Sequence, residues 1–389
     1  MKLRLAFLYT FGLFSAQAQA QSSVTLYGVV DVGGVYSSNA WGKQQYALAS
    51  GVEGSSVWGL KGSENLGGGA KAIFTLENGY SSTTGAISQN GTFFGRQAFV
   101  GLSGTPGTVT LGRQYSSAYW YTGYLSAGGS WAAAGAGYGA HPGDVDNLDT
   151  FARVNNTIKY TTPVIGGLSA SAMYSFGGQA GSTATNRIIA FGAGYVRGPL
   201  TLGVAYQDTN RPNFSLYGNK ANDSATANNM VSAVNLGFAS AAAQKIFAAA
   251  AAYTLGNATF GAVFSNTRYT DLGSVAVTGL SKKEAAYRGV ESFNIGELNV
   301  KYQLTPVLML GVAYDYTNCS GPTRARYQQI DMGVDYSISK TTDLYTLAFY
   351  QHASGTDSRG LPAVAAIAGA TWSKTNVQVI ATVGIRHKF

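Results

Sequence analysis

Charge is the first thing this sequence is short of. Lys, Arg, Asp and Glu make up 11% of its 389 residues, against roughly a quarter in an ordinary soluble domain. A soluble enzyme of this length would carry more charge on its surface. There is one cysteine, Cys319, which rules out an intramolecular disulfide and a thiolate metal cage. The histidines, His141, His352 and His387, lie far apart, so no zinc-binding spacing exists. No G-x-S-x-G elbow is present. A Ser/His/Asp set would have to draw on His141, the one histidine well inside a loop, and a solvated or hydrogen-bonded histidine explains it better. No metal, cofactor or catalytic group is therefore expected. Nor is nucleic-acid binding, because the formal charge of +8 is dispersed rather than gathered in a stripe. Mean hydropathy is also modest, +0.02, too low for a bundle of membrane helices.

Glycine and aromatic residues are abundant instead, with 51 Gly, 25 Tyr and 18 Phe. Hydrophobicity changes on a fine scale. Leu200, Leu202, Val204 and Tyr206 oppose Thr201, Gly203, Ala205 and Gln207; Leu298, Val300, Tyr302 and Leu304 oppose Asn299, Lys301 and Gln303. Side chains alternate across a strand, so such segments have one apolar and one polar face. A soluble β-sandwich also alternates, but does not account for the scarcity of charge. Strands of ~9–11 residues with one face in lipid do. Tyr27, Tyr36, Phe176, Tyr206 and Tyr302 are placed to form an interfacial girdle. Short connections such as 67–69, 198–199 and 339–342 alternate with long polar ones at 116–154, 208–229 and 270–292. The length accommodates about 16 strands at ~23 residues per strand and connection, and about 14 or 18 fit the same arithmetic. Between Lys245 and Arg268 lies an uncharged run long enough for a membrane helix. Gly256-Asn257 interrupts it as a turn signal, so it is read as a hairpin. The fold class expected is all-β: a transmembrane antiparallel β-barrel.

The N-terminus has a basic start (Lys2, Arg4), an apolar stretch from Leu5 to Phe14 and small residues at Ala18-Gln19-Ala20. That pattern predicts a secretory leader, residues 1–20, cleaved after Ala20, with the barrel over 21–389.

Several segments resemble the general porins of Gram-negative outer membranes, in particular those of β-proteobacteria: Ser23-Val24-Thr25-Leu26-Tyr27-Gly28, Trp58-Gly59-Leu60-Lys61-Gly62-Ser63-Glu64-Asn65-Leu66-Gly67, Gly95-Arg96-Gln97-Ala98-Phe99-Val100-Gly101-Leu102, Thr108-Val109-Thr110-Leu111-Gly112-Arg113-Gln114, and the ending Val383-Gly384-Ile385-Arg386-His387-Lys388-Phe389. The resemblance implies a 16-stranded barrel, a homotrimer embedded in outer-membrane lipids, and passive diffusion of small ions and solutes. It also implies that the loop at 116–154 folds into the lumen as a constriction. The length of that loop and its aromatic residues suit such a role.

Matched residue by residue, the resemblance places Lys61, Arg96 and Arg153 on a basic pore wall. Strand parity adds Lys71 and Lys159, together with the acids Asp31 and Glu77. Asp144, Asp146 and Asp149 are the acidic candidates of the constriction loop, although the same acids could bind Ca²⁺ or simply be solvated. Trp120, Tyr121 and Tyr124 are its aromatic candidates, and motivate an alternative in which the constriction grips a specific sugar or aromatic acid. An outer-membrane barrel acting mainly as an adhesin is a further alternative, since surface loops bind partners freely. Arg113 shares a face with Val109 and Leu111 and is expected to meet a neighbouring subunit. Where relatives carry arginine, this chain has Val57, which should weaken the basic wall; a weak preference for anions is expected. Phe389 resembles the C-terminal signal read by the outer-membrane insertion machinery.

Overall fold

The computed structural model describes residues 22–149, 151–214, 217–218 and 229–389; the expected leader lies outside them. Among the described residues seventeen strands form one sheet. They are β1 (Ser23–Ala40), β2 (Lys43–Ser50), β3 (Val57–Gly67), β4 (Ala70–Gly79), β5 (Gln97–Gly104), β6 (Gly107–Gln114), β7 (Val154–Thr161), β8 (Leu168–Ser175) and β9 (Ile188–Arg197). The remainder are β10 (Leu200–Asn210), β11 (Ala243–Leu255), β12 (Ala258–Leu272), β13 (Gly289–Thr305), β14 (Leu308–Ser320), β15 (Arg326–Ser337), β16 (Thr342–Ser354) and β17 (Val377–Lys388).

From β3 onward each strand pairs antiparallel with the next in sequence, and β1 pairs with β17, which closes the sheet. The half of β1 from Val32 to Ala40 pairs with β2, and the half from Ser23 to Val29 with β3. β2 and β3 thus share one place in the wall, and the barrel has 16 strands. Closure satisfies the backbone groups that an open edge would leave bare in lipid, at several kcal/mol each. The seam ends at Phe389, whose N–H donates to the Gly28 carbonyl at 3.0 Å and whose carbonyl accepts from the Gly28 N–H at 3.0 Å.

The alanine-rich run is a hairpin, β11–β12, turning at Gly256-Asn257 with Leu255 opposite Ala258. The expected short connections at 67–69, 198–199 and 339–342 also fall at strand turns. They lie at one end of the barrel, and the long connections at the other. Among the described residues no helix is long and apolar enough to cross a membrane; the strands do that work.

The sheet has two unlike faces. One exposes Val24, Leu26, Val100, Leu102, Phe191, Leu298 and Val383. The other carries Asp31, Glu77, Gln207, Ser265, Thr267, Glu297 and Gln329, all buried. Tyr206 and Tyr302 are exposed as the girdle reading requires. Tyr27 is not a girdle residue: it lies on the polar face and donates its hydroxyl to Glu77 at 2.8 Å.

Candidate functional site

The connection between β6 and β7 overlies the polar face, and its course explains the burial there. A short helix, Ser117–Tyr121, starts it. Tyr121 fills the space that side chains would need at Gly192 and Gly194, on β9. The Asn299 amide donates to the Leu125 carbonyl at 3.0 Å, and Glu297 accepts from the Ala127 N–H at 2.9 Å. Trp131 then packs where side chains would stand at Gly311 and Gly333. Ala133 donates its N–H to Glu53, in the break between β2 and β3, at 3.1 Å. Gln329 donates to the Tyr138 carbonyl at 2.9 Å. Small wall residues thus let the connection approach closely, while long polar ones hold its backbone.

The acids of this connection are taken up by the attachment rather than set before open water. His141 lies between two carboxylates, with Nδ1 2.6 Å from Asp146 Oδ2 and Nε2 3.1 Å from Glu297 Oε2. Ser265 donates to Asp146 at 2.5 Å. Burial works against the charged histidine, but Asp146 and Glu297 outweigh it and hold its pKa well above the usual value. Asp146 is correspondingly held low, burial opposing and His141 prevailing. Asp144 accepts from the Asp149 and Phe151 N–H groups at 3.0 and 2.8 Å. Burial, reinforced by Asp146, pushes Asp144 up to about 7. Asp149, also buried, is held well above the usual carboxylate range, chiefly by burial and then by Asp144. Among the described residues no group of three or more His, Cys, Asp or Glu is arranged to hold a metal ion.

Asp31 differs from its expected place in the same way. It is fully buried, accepting from the Val52 and Gly54 N–H groups at 2.9 and 2.8 Å and from the Tyr345 hydroxyl at 2.7 Å. Its carboxylate fastens the break between β2 and β3. Val57 lies on the polar face and is buried there. Arg113, expected at a subunit contact, is only 8% exposed. At a register shift between Gly112 and Gln114, it turns back to donate to the Gly95 carbonyl at 2.9 Å and to Asn155 at 2.5 Å. A bulge re-aims a side chain, and simple parity fails beside it.

Three of the five basic candidates lie around one aromatic cluster, and Lys61 stands over the adjoining Tyr27. Tyr115, Tyr119, Trp120 and Tyr124 are in mutual contact, with neighbouring centroids 4.5 to 5.9 Å apart. Arg96 and Arg153 stand 5.9 and 5.3 Å from the Tyr115 centroid, and Lys159 5.8 Å from that of Trp120. Glu77 joins this cluster to the next strands. It accepts from Arg96 Nε at 2.7 Å, from Tyr27 at 2.8 Å and from Tyr115 at 3.4 Å. Lys61 caps the Tyr27 ring at 5.3 Å. Trp120 and Tyr124 remain 42% and 44% exposed, whereas Tyr121 faces the wall. Lys71 is apart from the cluster, near the short turn at 67–69 and exposed. Phe389 is half-exposed, on the barrel seam.

Sequence reasoning missed Tyr115, Glu53, Glu297 and Arg386. Arg386 gathers Glu53, Asp335 and Asp343 at 3.5, 3.0 and 2.9 Å on the polar face. Parity signalled two of these residues: Glu297 precedes apolar Leu298, and Arg386 follows apolar Ile385.

The model of the family described as Gram-negative porin matches residues 6–357. The chain is 34% identical to an outer membrane porin protein of Bordetella pertussis over 51% of this chain and 57% of that one, so the match spans a little over half of that relative. With outer membrane porin protein 32 of Delftia acidovorans it is 32% identical over 96% of both chains. Among solved structures, an anion-selective porin from Comamonas acidovorans superposes with a TM-score of 0.73 at 23% identity, covering 95% of this chain and all of that one. With its closed 16-stranded barrel and apolar exterior, the chain belongs to the Gram-negative porin family of the outer membrane.

Proposed function

We propose that the protein assembles as a homotrimer in which each barrel encloses a water-filled path for passive diffusion of ions and small hydrophilic solutes. The connection at 116–154 narrows that path, and passage leans weakly toward anions. No covalent step is needed; the solute gradient supplies the driving force. The carrying observation is the imbalance of charge at the aromatic cluster. Arg96, Arg153 and Lys159 border it and Lys61 stands over the adjoining Tyr27, while the one acid among them, Glu77, is bonded to Arg96. Asp144, Asp146 and Asp149 are buried in the attachment of the connection. Charged rings select ions by their field where the path is narrow. The anion-selective neighbour supports the same sign. Val57 and the acids gathered by Arg386 keep the preference weak.

Planar-bilayer recording in a KCl gradient tests this. Ohmic steps closing in threes, with a reversal potential toward chloride, are expected. Lys61→Gln with Lys159→Gln should move that potential toward potassium. Folded protein that gives no steps would overturn the channel, and a wild-type potential on the potassium side would overturn the charge assignment. The exposed rings of Trp120 and Tyr124 favour a second reading, in which the channel prefers one class of solute.

A further inference from the structure

We propose that the cluster of Tyr115, Tyr119, Trp120 and Tyr124, with Lys159 against it and Lys61 over the adjoining Tyr27, is a binding subsite for small planar aromatic carboxylates. The proposal rests on the channel reading and names a solute class for it.

The four rings form a continuous apolar surface where polar side chains otherwise prevail, and two of them stay open. Trp120 is 42% exposed and Tyr124 44%, although their neighbour Tyr115 is buried. Core packing does not account for large rings left this wet at the centre of a charged group. Each open ring offers an edge or face to a further ring at the 4.5–7 Å separation that aromatic pairs favour.

The charges decide which ring-bearing solute fits. Lys159 Nζ lies over the Trp120 ring, 5.8 Å from its centroid, so a solute ring that meets the exposed edge or the other face of Trp120 brings its anion within reach of an ammonium. Lys61 holds the same relation to Tyr27, whose hydroxyl is bonded to Glu77. Glu77 in turn accepts from Tyr115, which ties the Lys61 side to the aromatic cluster. A sugar would need free acceptors beside the rings to take its hydroxyl protons. The acid present, Glu77, already accepts from Arg96, Tyr27 and Tyr115, and Asp144, Asp146 and Asp149 are buried. A neutral aromatic would leave the ammonium groups without a partner. An aromatic ring bearing a carboxylate uses both features.

Benzoate and cyclohexanecarboxylate, matched in charge and near in size, separate ring stacking from simple anion attraction. Their block of KCl current is measured on the trimer in bilayers, and their binding by calorimetry on the detergent-solubilised protein. Benzoate should act at about three- to ten-fold lower concentration, the range one aromatic contact supplies. Trp120→Ala should abolish that difference, Trp120→Phe should keep part of it, and Lys159→Gln should weaken both acids. Gel mobility before and after heating shows that each variant is folded. Equal effects of the two acids, or a difference that survives in folded Trp120→Ala, would overturn the subsite while ion conductance leaves the channel standing. Loss of conductance would overturn the channel instead, and calorimetry would still decide on the subsite.

Discussion

Arg96 Nε donates to Glu77 Oε1 at 2.7 Å, with little of either side chain exposed. The contact joins the segment before β5 to β4, and it offsets the one acid that stands among four cations. What remains around the aromatic cluster is net positive, despite the apolar Val57 on the same face. The balance of this group, rather than the overall charge of the chain, sets the local field.

Glu77→Gln should therefore make the channel more anion-selective. A unit charge about 8 Å from the ion path is worth about 0.5 kcal/mol in water, about two-fold in local ion concentration. The chloride-to-potassium permeability ratio, taken from the reversal potential in dilute KCl, should rise by about that factor, and less at high salt. A ratio that does not change would place Glu77 outside the field felt by ions.

The strands were largely legible in the sequence and the site only partly so, for different reasons. Alternation is local: Phe247 to Leu255 announced a strand and Gly256-Asn257 its turn, and both are found. Alternation also gives the face of a residue, which placed Lys61, Glu77 and Lys159 correctly on the polar side. It does not give what lies over that face. Asp31 faces the way parity says, yet is covered by the chain at 51–56 that it binds. The loop acids were legible as charges, but their burial depends on partners remote in sequence, such as Ser265 and Glu297 for the Asp146–His141 pair. Arg113 was misread because a register shift beside it is invisible in the pattern of hydrophobicity.

The hold on the connection should weaken as pH rises. His141, Asp144 and Glu53 all have pKa values raised in the folded protein, Asp144 to about 7 and Glu53 to about 8, the last mainly by burial. A raised pKa means stability that is complete below the unfolded value and lost as pH climbs through the folded one. Asp146, held low, has the opposite sign and loses its contribution only in acid. Open-channel current noise should thus be lowest near pH 4 and grow as the pH rises to about 8. His141→Ala, which strands two buried carboxylates, should cost about 3–5 kcal/mol and raise the noise already at pH 6. Noise independent of pH in both proteins would show that these groups do not restrain the connection.

Close approach of the connection to the wall gives a test free of charge. A side chain at Gly203, on β10, would overlap the Tyr121 carbonyl, whereas nothing lies within 4 Å of the same position at Gly296, on β13. Gly203→Ala should lower the temperature at which the folded band disappears on gels, in line with about 1–3 kcal/mol of overpacking. Gly296→Ala should leave it unchanged. Equal behaviour would mean that the connection yields without cost.

Phe389 allows its two roles to be separated. Its backbone closes the seam through both bonds with Gly28, and its ring occupies the space a side chain would need at Gly28. Removing the residue deletes two hydrogen bonds at the very end of the seam, each worth about 1 kcal/mol net. Pairing from Val29 to Ser37 with β17 would be left intact. Refolding of the shortened chain into detergent should therefore proceed, with a slightly less stable barrel. If the terminal aromatic is also read by the insertion machinery, the amount of folded protein in the outer membrane of cells should fall by far more than that stability loss predicts. Phe389→Tyr, which keeps an aromatic ring and the backbone bonds, should restore it. Equal losses in detergent and in cells would assign Phe389 to the seam alone.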